Sequence, residues 1–172
     1  MAGTAPYISK RALAFRPIDI FNDGADLIAF GRDLYFESVG DDRAFLREYG
    51  PRGERFLLWI ATCGARDDAF AAMLTENDRP VGMIVLGSDR RDRSLGRVHH
   101  LYVAPGRRGR GYGGLLDDYA RDTLRGARHA RARLNVAKRN ARAIRFYEAL
   151  GWAEISAPGG SKGMLRHYET AL

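Results

Sequence analysis

The chain has little cysteine, little lysine and no long apolar run. Cys63 is its only cysteine among 172 residues. That excludes an intramolecular disulfide and leaves out the paired CxxC ligands of a zinc ribbon or a dithiol redox centre, so no metal site is expected. No window approaches the roughly 20 apolar residues that a membrane-spanning helix needs, and Met1 to Lys10 lacks the apolar stretch of a secretory signal. A cytoplasmic protein with no membrane partner is expected. Internal repeats, low-complexity tracts and long linkers are also missing. A chain of 172 residues that is 45% hydrophobic can bury one sizeable core, which predicts a single domain over residues 1–172.

Of the 28 basic residues twenty-five are arginine, and the net charge is +7. The charge is unevenly spread. Arg90 to Arg145 holds sixteen basic residues against four acids, or +12, while the remainder holds twelve against seventeen, or −5. Such a split suggests a face turned toward an anion, although arginines also solvate exposed helix and strand faces.

Periodicity predicts a strand over Ala12 to Ile18 and a helix from an Asn22 or Asp23 cap toward Val39, with Leu27, Ile28, Leu34 and Tyr35 inward. Two shorter helices follow, Asp41 to Tyr49 and Glu54 to Cys63, interrupted at Gly50-Pro51. Phe70 to Glu76 and Val81 to Gly87 read as strands joined by a turn at Asn77-Asp78-Arg79-Pro80, and Val98 to Val103 as a third in an antiparallel meander. A helical pattern starts at Leu115 and stops near Gly126, and Ala130 to Val136 alternates as a half-buried strand. This strand–helix–strand connection predicts a right-handed crossover and a parallel pair. Ala143, Phe146, Tyr147 and Leu150 share a helical face before Gly151, and two strands, Ala153 to Ser156 and Met164 to Thr170, flank a Pro158-Gly159-Gly160 turn. The class is α+β, a mixed α/β sheet. Cys63, beside Trp59 and Ile60 in an apolar helix, reads as core packing.

The most specific feature is Arg107-Arg108-Gly109-Arg110-Gly111-Tyr112-Gly113-Gly114 between a strand and a helix. Glycines let a ligand approach the backbone, free N–H groups point from the helix start, and the helix dipole favours negative charge there. A Walker A loop would need Gly-Lys-Ser/Thr, but Leu115 follows Gly113-Gly114. Gly109, Gly111 and Gly114 do satisfy the G-x-G-x-x-G dinucleotide pattern, yet the ribose-binding acid about 20 residues on is absent, and Val136-Ala137-Lys138-Arg139 stands there instead. An NADP-type dinucleotide-binding protein is therefore an alternative of low weight. A basic nucleic-acid-binding module, with Tyr102 or Tyr112 stacking on bases, is another. Confinement of the glycines to one tight loop argues against it.

Arg108-Gly109-Arg110-Gly111-Tyr112-Gly113 resembles the Arg/Gln-x-x-Gly-x-Gly/Ala signature of the GNAT superfamily of N-acetyltransferases, with Leu101-Tyr102-Val103-Ala104-Pro105 before it as that family's pyrophosphate strand. Leu134-Asn135-Val136 and the run from Asn140 through Ala143, Phe146, Tyr147 and Gly151 to Trp152 resemble its second motif, N-x-x-A-x-x-F-Y-x-x-x-G-F/W. Two motifs in order are far more specific than either alone. The close resemblance covers Val98 to Trp152, about a third of the chain.

The resemblance implies a GNAT-like fold: a mostly antiparallel central sheet with one parallel strand pair splayed to hold acetyl-CoA, flanked by about four helices. It implies an acetyl-CoA-dependent N-acetyltransferase moving the acetyl group to a primary amine by direct attack in a ternary complex. The backbone of Leu101, Tyr102 and Val103 would pair with the pantetheine arm. Gly109, Gly111, Tyr112, Gly113 and Gly114, with the side chains of Arg108 and Arg110, would hold the pyrophosphate. Asn140 would line the thioester slot and Tyr147 would stand near the sulfur.

Acyl transfer needs a proton acceptor for the amine and a donor for the leaving thiolate. His99, where many relatives carry a glutamate, is the first candidate base, and neighbouring His100 should face the other way unless a bulge re-aims it. Tyr147 is the candidate acid, and the Val103 N–H would stabilise the oxyanion. The same residues also fit structural roles: strand histidines with water carrying the proton, a core tyrosine, and Asn140 as an N-cap. The acceptor amine, on a small molecule, peptide or protein, is not readable. Glu37, Asp41 and Asp42 could attract a cation, and a homodimer is compatible with the chain.

Overall fold

The computed structural model describes residues 12–64, 70–157 and 163–172. They form one seven-stranded sheet in the order β1-β2-β3-β4-β5-β7-β6. The strands are β1 (Leu13–Pro17), β2 (Phe70–Glu76), β3 (Arg79–Ser88), β4 (Leu95–Val103), β5 (Arg131–Ala137), β6 (Ala153–Ile155) and β7 (Leu165–Ala171). Every neighbouring pair is antiparallel except β4 and β5, which run parallel. Helix α4 (Tyr112–Gly126) makes the crossover between these two strands, as a parallel connection requires.

The helices before it are α1 (Gly24–Val39), α2 (Arg43–Tyr49) and α3 (Glu54–Gly64), and α5 (Ala141–Ala149) follows β5. The described residues thus hold five helices where about four are expected, because Gly50 (φ +93°) and Pro51 break the chain between α2 and α3. Two apolar cores lie on opposite faces of the sheet. Leu27, Phe30, Phe45, Phe56 and Ile60 bury α1, α2 and α3 on one face with Met83, Val85 and Tyr102. Leu116, Ala120, Leu124, Ile144 and Tyr147 bury α4 and α5 on the other with Ile84, Leu134 and Tyr168. Cys63 is buried in the first core, as its apolar surroundings predict.

Four local expectations need correction. The β2–β3 turn is only Asn77-Asp78, both at positive φ (50° and 64°), so Pro80 already lies in β3 opposite Thr75; two left-handed residues match the twist of a two-residue hairpin. Asp23 precedes α1 without capping its N–H groups, because its carboxylate is held by Arg16 (2.6 and 2.7 Å) and by the Asp19 N–H. Strand β4 starts at Leu95, and α4 starts at Tyr112, so Gly113 and Gly114 belong to its first turn. The Pro158-Gly159-Gly160 turn and Met1 to Lys10 lie outside the described residues.

Candidate active site

The parallel pair is paired over only three residues, Leu95–Arg97 against Arg131–Arg133, and then the two strands diverge. The opposite edge of β4 stays on β3, with Ile84 facing Leu101 and Gly82 facing Val103. Hydrogen-bonded and open pairs alternate along an antiparallel ladder. Since the Ala104 N–H donates to the Val81 carbonyl (2.9 Å), the open pairs are those of Leu101 and Val103. Their N–H and C=O groups therefore face the gap left by β5. A cavity of about 530 Å³ occupies this gap, lined by Leu101, Tyr102 and Val103 on one side and Asn140, Ala143, Phe146 and Tyr147 on the other.

The glycine loop closes one end of the cavity. Gly109 (φ +74°) and Gly111 (φ +82°) adopt the left-handed conformation, and nothing lies within 4 Å of where a Cβ would stand on Gly109, Gly111 or Gly114. Gly109, Gly111, Gly113 and Gly114 all line the cavity, and α4 begins there with its unpaired N–H groups. Gly113 is tighter, since a Cβ there would come within 2.8 Å of the Phe146 ring.

The side chains of the loop divide. Arg110 is exposed. Arg108 folds inward: it donates to Asp33 (2.7 Å), Glu37 (3.0 Å) and the Val103 carbonyl (2.9 Å), and lies over the Tyr102 ring. Tyr112 points into the core and does not line the cavity; its hydroxyl donates to the buried carboxylate of Glu76, which also pairs with Arg107 (3.1 Å). Neither Glu76 nor Asp33 carries a sequence signal for this role, because each meets the loop only through tertiary contact.

Across the gap, Asn140 caps α5, its Oδ1 accepting the Ala143 N–H (3.0 Å) while the residue also lines the cavity. Tyr147 is 7% exposed and packs edge-on against Phe146 and Trp152. Among the described residues no group hydrogen-bonds its hydroxyl. Burial, and then the nearby charge of Asp117, raise its pKa above the ordinary phenol value. The phenol holds its proton across the physiological range.

His99 is the extra residue of a β-bulge: Val85 pairs with His100 and Leu86 with Val98. The bulge brings both histidines onto the α3 face, where the Trp59 ring lies 5.8 Å from His99 and 5.0 Å from His100. His99 is exposed and stands outside the cavity lining. His100 is half-buried against Trp59 and Phe56, and burial, with the neighbouring His99, lowers its pKa to about 3.

Residues 34–152 match the model of the acetyltransferase (GNAT) family. The chain belongs to this family. Solved structures with the same fold include the PaiA N-acetyltransferase of Thermoplasma acidophilum in complex with coenzyme A (TM-score 0.77, 18% identity, 94% of this chain and 99% of that one). A GNAT acetyltransferase of Staphylococcus aureus (0.71, 19%, 93% and 99%) and an acetyltransferase of Thermus thermophilus (0.68, 20%, 93% and 97%) are similar in the same way. No curated protein matches the chain in sequence.

The acids expected to draw a cation to this GNAT acetyltransferase are already engaged. Asp41 pairs with Arg47 (2.6 Å), Asp42 with Arg32 (3.0 Å), and Glu37 with Arg108 and Arg142 (3.0 and 3.1 Å). Part of the charge split of the sequence is met within the fold, where Arg107, Arg108 and Arg142 reach carboxylates of the acidic part and Arg131 and Arg133 share Glu169. Among the described residues no helix is long and apolar enough to cross a membrane.

Proposed function

We propose that the chain is one catalytic domain over residues 1–172, which transfers the acetyl group of acetyl-CoA to a primary amine of a small molecule, peptide or protein, in the cytoplasm where this co-substrate is available. The carrying observation is the gap between β4 and β5, into which Leu101 turns its N–H and C=O and Val103 its N–H, none of them used by the β3 ladder, while the Val103 carbonyl accepts from Arg108. An extended amide chain such as pantetheine can pair with that edge like an added strand. The open amides of Gly109 to Gly114 would then receive the pyrophosphate at the start of α4. Because Arg108 is held by Asp33 and Glu37, the positive side chain left to the phosphates is Arg110.

In the reaction the amine nitrogen attacks the thioester carbonyl, a C–N bond forms and the C–S bond breaks. His99 accepts the proton the amine loses, through water, and Tyr147 gives its proton to the departing thiolate. The two stand on opposite faces of the sheet; Tyr147 lines the cavity and His99 does not, which makes water the carrier between the amine and His99. The N–H of Val103 faces the gap where an oxyanion would form. His100 is too weak a base for this work at its lowered pKa.

Melting and turnover test the reading together. Acetyl-CoA at 100 times its Kd should add about 2.7 kcal/mol of stability and raise the Tm accordingly, while NADPH and a short oligonucleotide leave it unchanged. A panel of amines should then release free thiol from acetyl-CoA. Stabilisation by NADPH or the oligonucleotide instead would sink the reading, and stabilisation by acetyl-CoA without thiol release would reduce the protein to a coenzyme-binding domain.

A further inference from the structure

The last rung of the β4–β5 ladder before the strands part is Arg97 opposite Arg133. Ala132, Leu134 and Val136 of β5 face the α4–α5 core, so Arg133 and Asn135 face the other side of the sheet. Paired residues share a face, which adds Arg97 through Arg133, Glu169 through Arg133, and His167 through Asn135. The bulge at His99 and the α3 residue Trp59 border this same face. Its central residues on β5 and β7 (Arg131, Arg133, Asn135, His167 and Glu169) are polar and none is buried, while Ala137, Leu165 and Ala171 stand at the ends of the same rows.

Two arginines side by side repel, and the surroundings answer for only one of them. Arg133 is neutralised by Glu169 (2.6 Å), which also pairs with Arg131 (3.0 Å), and Arg131 reaches Asp92 (2.9 Å). Arg97 is half-buried, yet among the described residues no acceptor hydrogen-bonds its guanidinium and no carboxylate pairs with it. Asp89 attracts it only at longer range, its own carboxylate accepting the N–H groups of Arg91 and Asp92. Burial lowers the Arg97 pKa, and burial followed by the charges of Arg97 and Arg133 lowers that of His167. A partly desolvated guanidinium left without a counter-charge, at the apex of the reaction gap, is poised for a bidentate anion.

We infer that Arg97, with His167 and Asn135 beside it, binds an acidic group on the acceptor, so that the substrates are amines carrying a carboxylate or phosphonate-like acid rather than polyamines. The inference rests on the acyl-transfer reading and narrows it to amino acids in the broad chemical sense. The paired states of Glu37, Asp41 and Asp42 agree, because they leave little free negative charge to recruit a polycation.

Matched acceptors test it: glycine, β-alanine, γ-aminobutyrate and δ-aminovalerate against methylamine, ethylamine, propylamine and butylamine, with aminoalkylphosphonates of the same lengths. At one spacing or more the acid should exceed its alkylamine in kcat/KM by about tenfold or more, with the ratio falling toward one in Arg97→Gln and partly recovered in Arg97→Lys. Whether carboxylate or phosphonate wins identifies the acid. A readout free of turnover is calorimetric titration with glutarate, which should bind the wild type and bind Arg97→Gln about tenfold more weakly. Alkylamines equal to their acids at every spacing, or an acid preference and glutarate affinity that survive Arg97→Gln, would overturn the inference. Failure of the acyl-transfer reading is separately visible as no rise in Tm with acetyl-CoA, or as a rise without thiol release from any amine of either series.

Discussion

The hydroxyl of Tyr112, in the first turn of α4, donates to the carboxylate of Glu76 at the far end of β2. Glu76 is 5% exposed and also pairs with Arg107 at the start of the glycine loop. One buried carboxylate thus anchors both ends of the loop to the sheet. Glu76→Ala leaves a buried hydroxyl and a guanidinium without their acceptor, and the expected loss of stability is about 1–3 kcal/mol. The loop should lose its shape as well, raising KM for acetyl-CoA several-fold with little change in kcat, and Glu76→Gln should recover part of that by keeping an acceptor for Tyr112. Steady-state kinetics on both variants check this; an unchanged KM beside a lowered Tm would confine Glu76 to folding.

Removal of the Tyr147 hydroxyl should separate binding from chemistry. Tyr147→Phe keeps the ring packed on Phe146 and Trp152 and deletes the proposed proton donor. The expected result is a fall in kcat of about 100-fold with KM for acetyl-CoA nearly unchanged. Since burial raises the phenol pKa, the wild type should show no alkaline loss of rate from this group up to pH about 10. A fully active phenylalanine variant would end the acid role.

His99→Ala should lower kcat/KM, because without the imidazole the proton of the amine must leave to solvent alone. A drop of about 100-fold at pH 7, shrinking as the pH rises and more amine arrives deprotonated, is expected. Identical profiles for the two proteins would hand the proton to water.

His100 should mark the stability curve instead of the rate. Its ordinary value of 6.5 falls to about 3 in the fold. Between those two values the unfolded chain binds a proton that the folded chain does not, so stability falls as pH drops through 6.5 toward 3 and is unaffected above. The slope from this one group approaches about 1.4 kcal/mol per pH unit. His100→Phe keeps a ring against Trp59 and removes the proton site, so its urea midpoint should gain on the wild type at pH 4.5 relative to pH 7.5. An equal difference at both values would show that the imidazole is not desolvated.

What the sequence could and could not disclose follows the range of the interactions. The strand and helix order, the parallel crossover and the glycine loop are local patterns, legible from alternation, helical spacing and turn residues. A bulge re-aiming one histidine could be named from the sequence but not placed, because a bulge is set by the partner strand and both histidines fit either face. Asp23 has the residue type of a cap, but Arg16 competes for its carboxylate. Arg108 occupies its motif position and is nevertheless engaged by Asp33 and Glu37, which come from a helix about 70 residues upstream. Arg97 looked like one arginine among many until the ladder register set it beside Arg133.

The glycines of the loop offer a test in which fold and ligand pull in opposite directions. Gly114 lies in the first turn of α4 with nothing within 4 Å of where an added methyl group would stand, and it lines the cavity. Gly114→Ala should therefore stabilise the helix by about 0.5–1 kcal/mol, the usual gain of alanine over glycine, while the methyl group enters the space proposed for the pyrophosphate and weakens acetyl-CoA binding several-fold. Gly111→Ala differs, because φ is +82° there. A side chain costs about 1–2 kcal/mol in that conformation, so both stability and affinity should fall. Melting with and without acetyl-CoA resolves the two. If Gly114→Ala gains stability and binds acetyl-CoA as well as the wild type does, the diphosphate does not rest on this turn of α4.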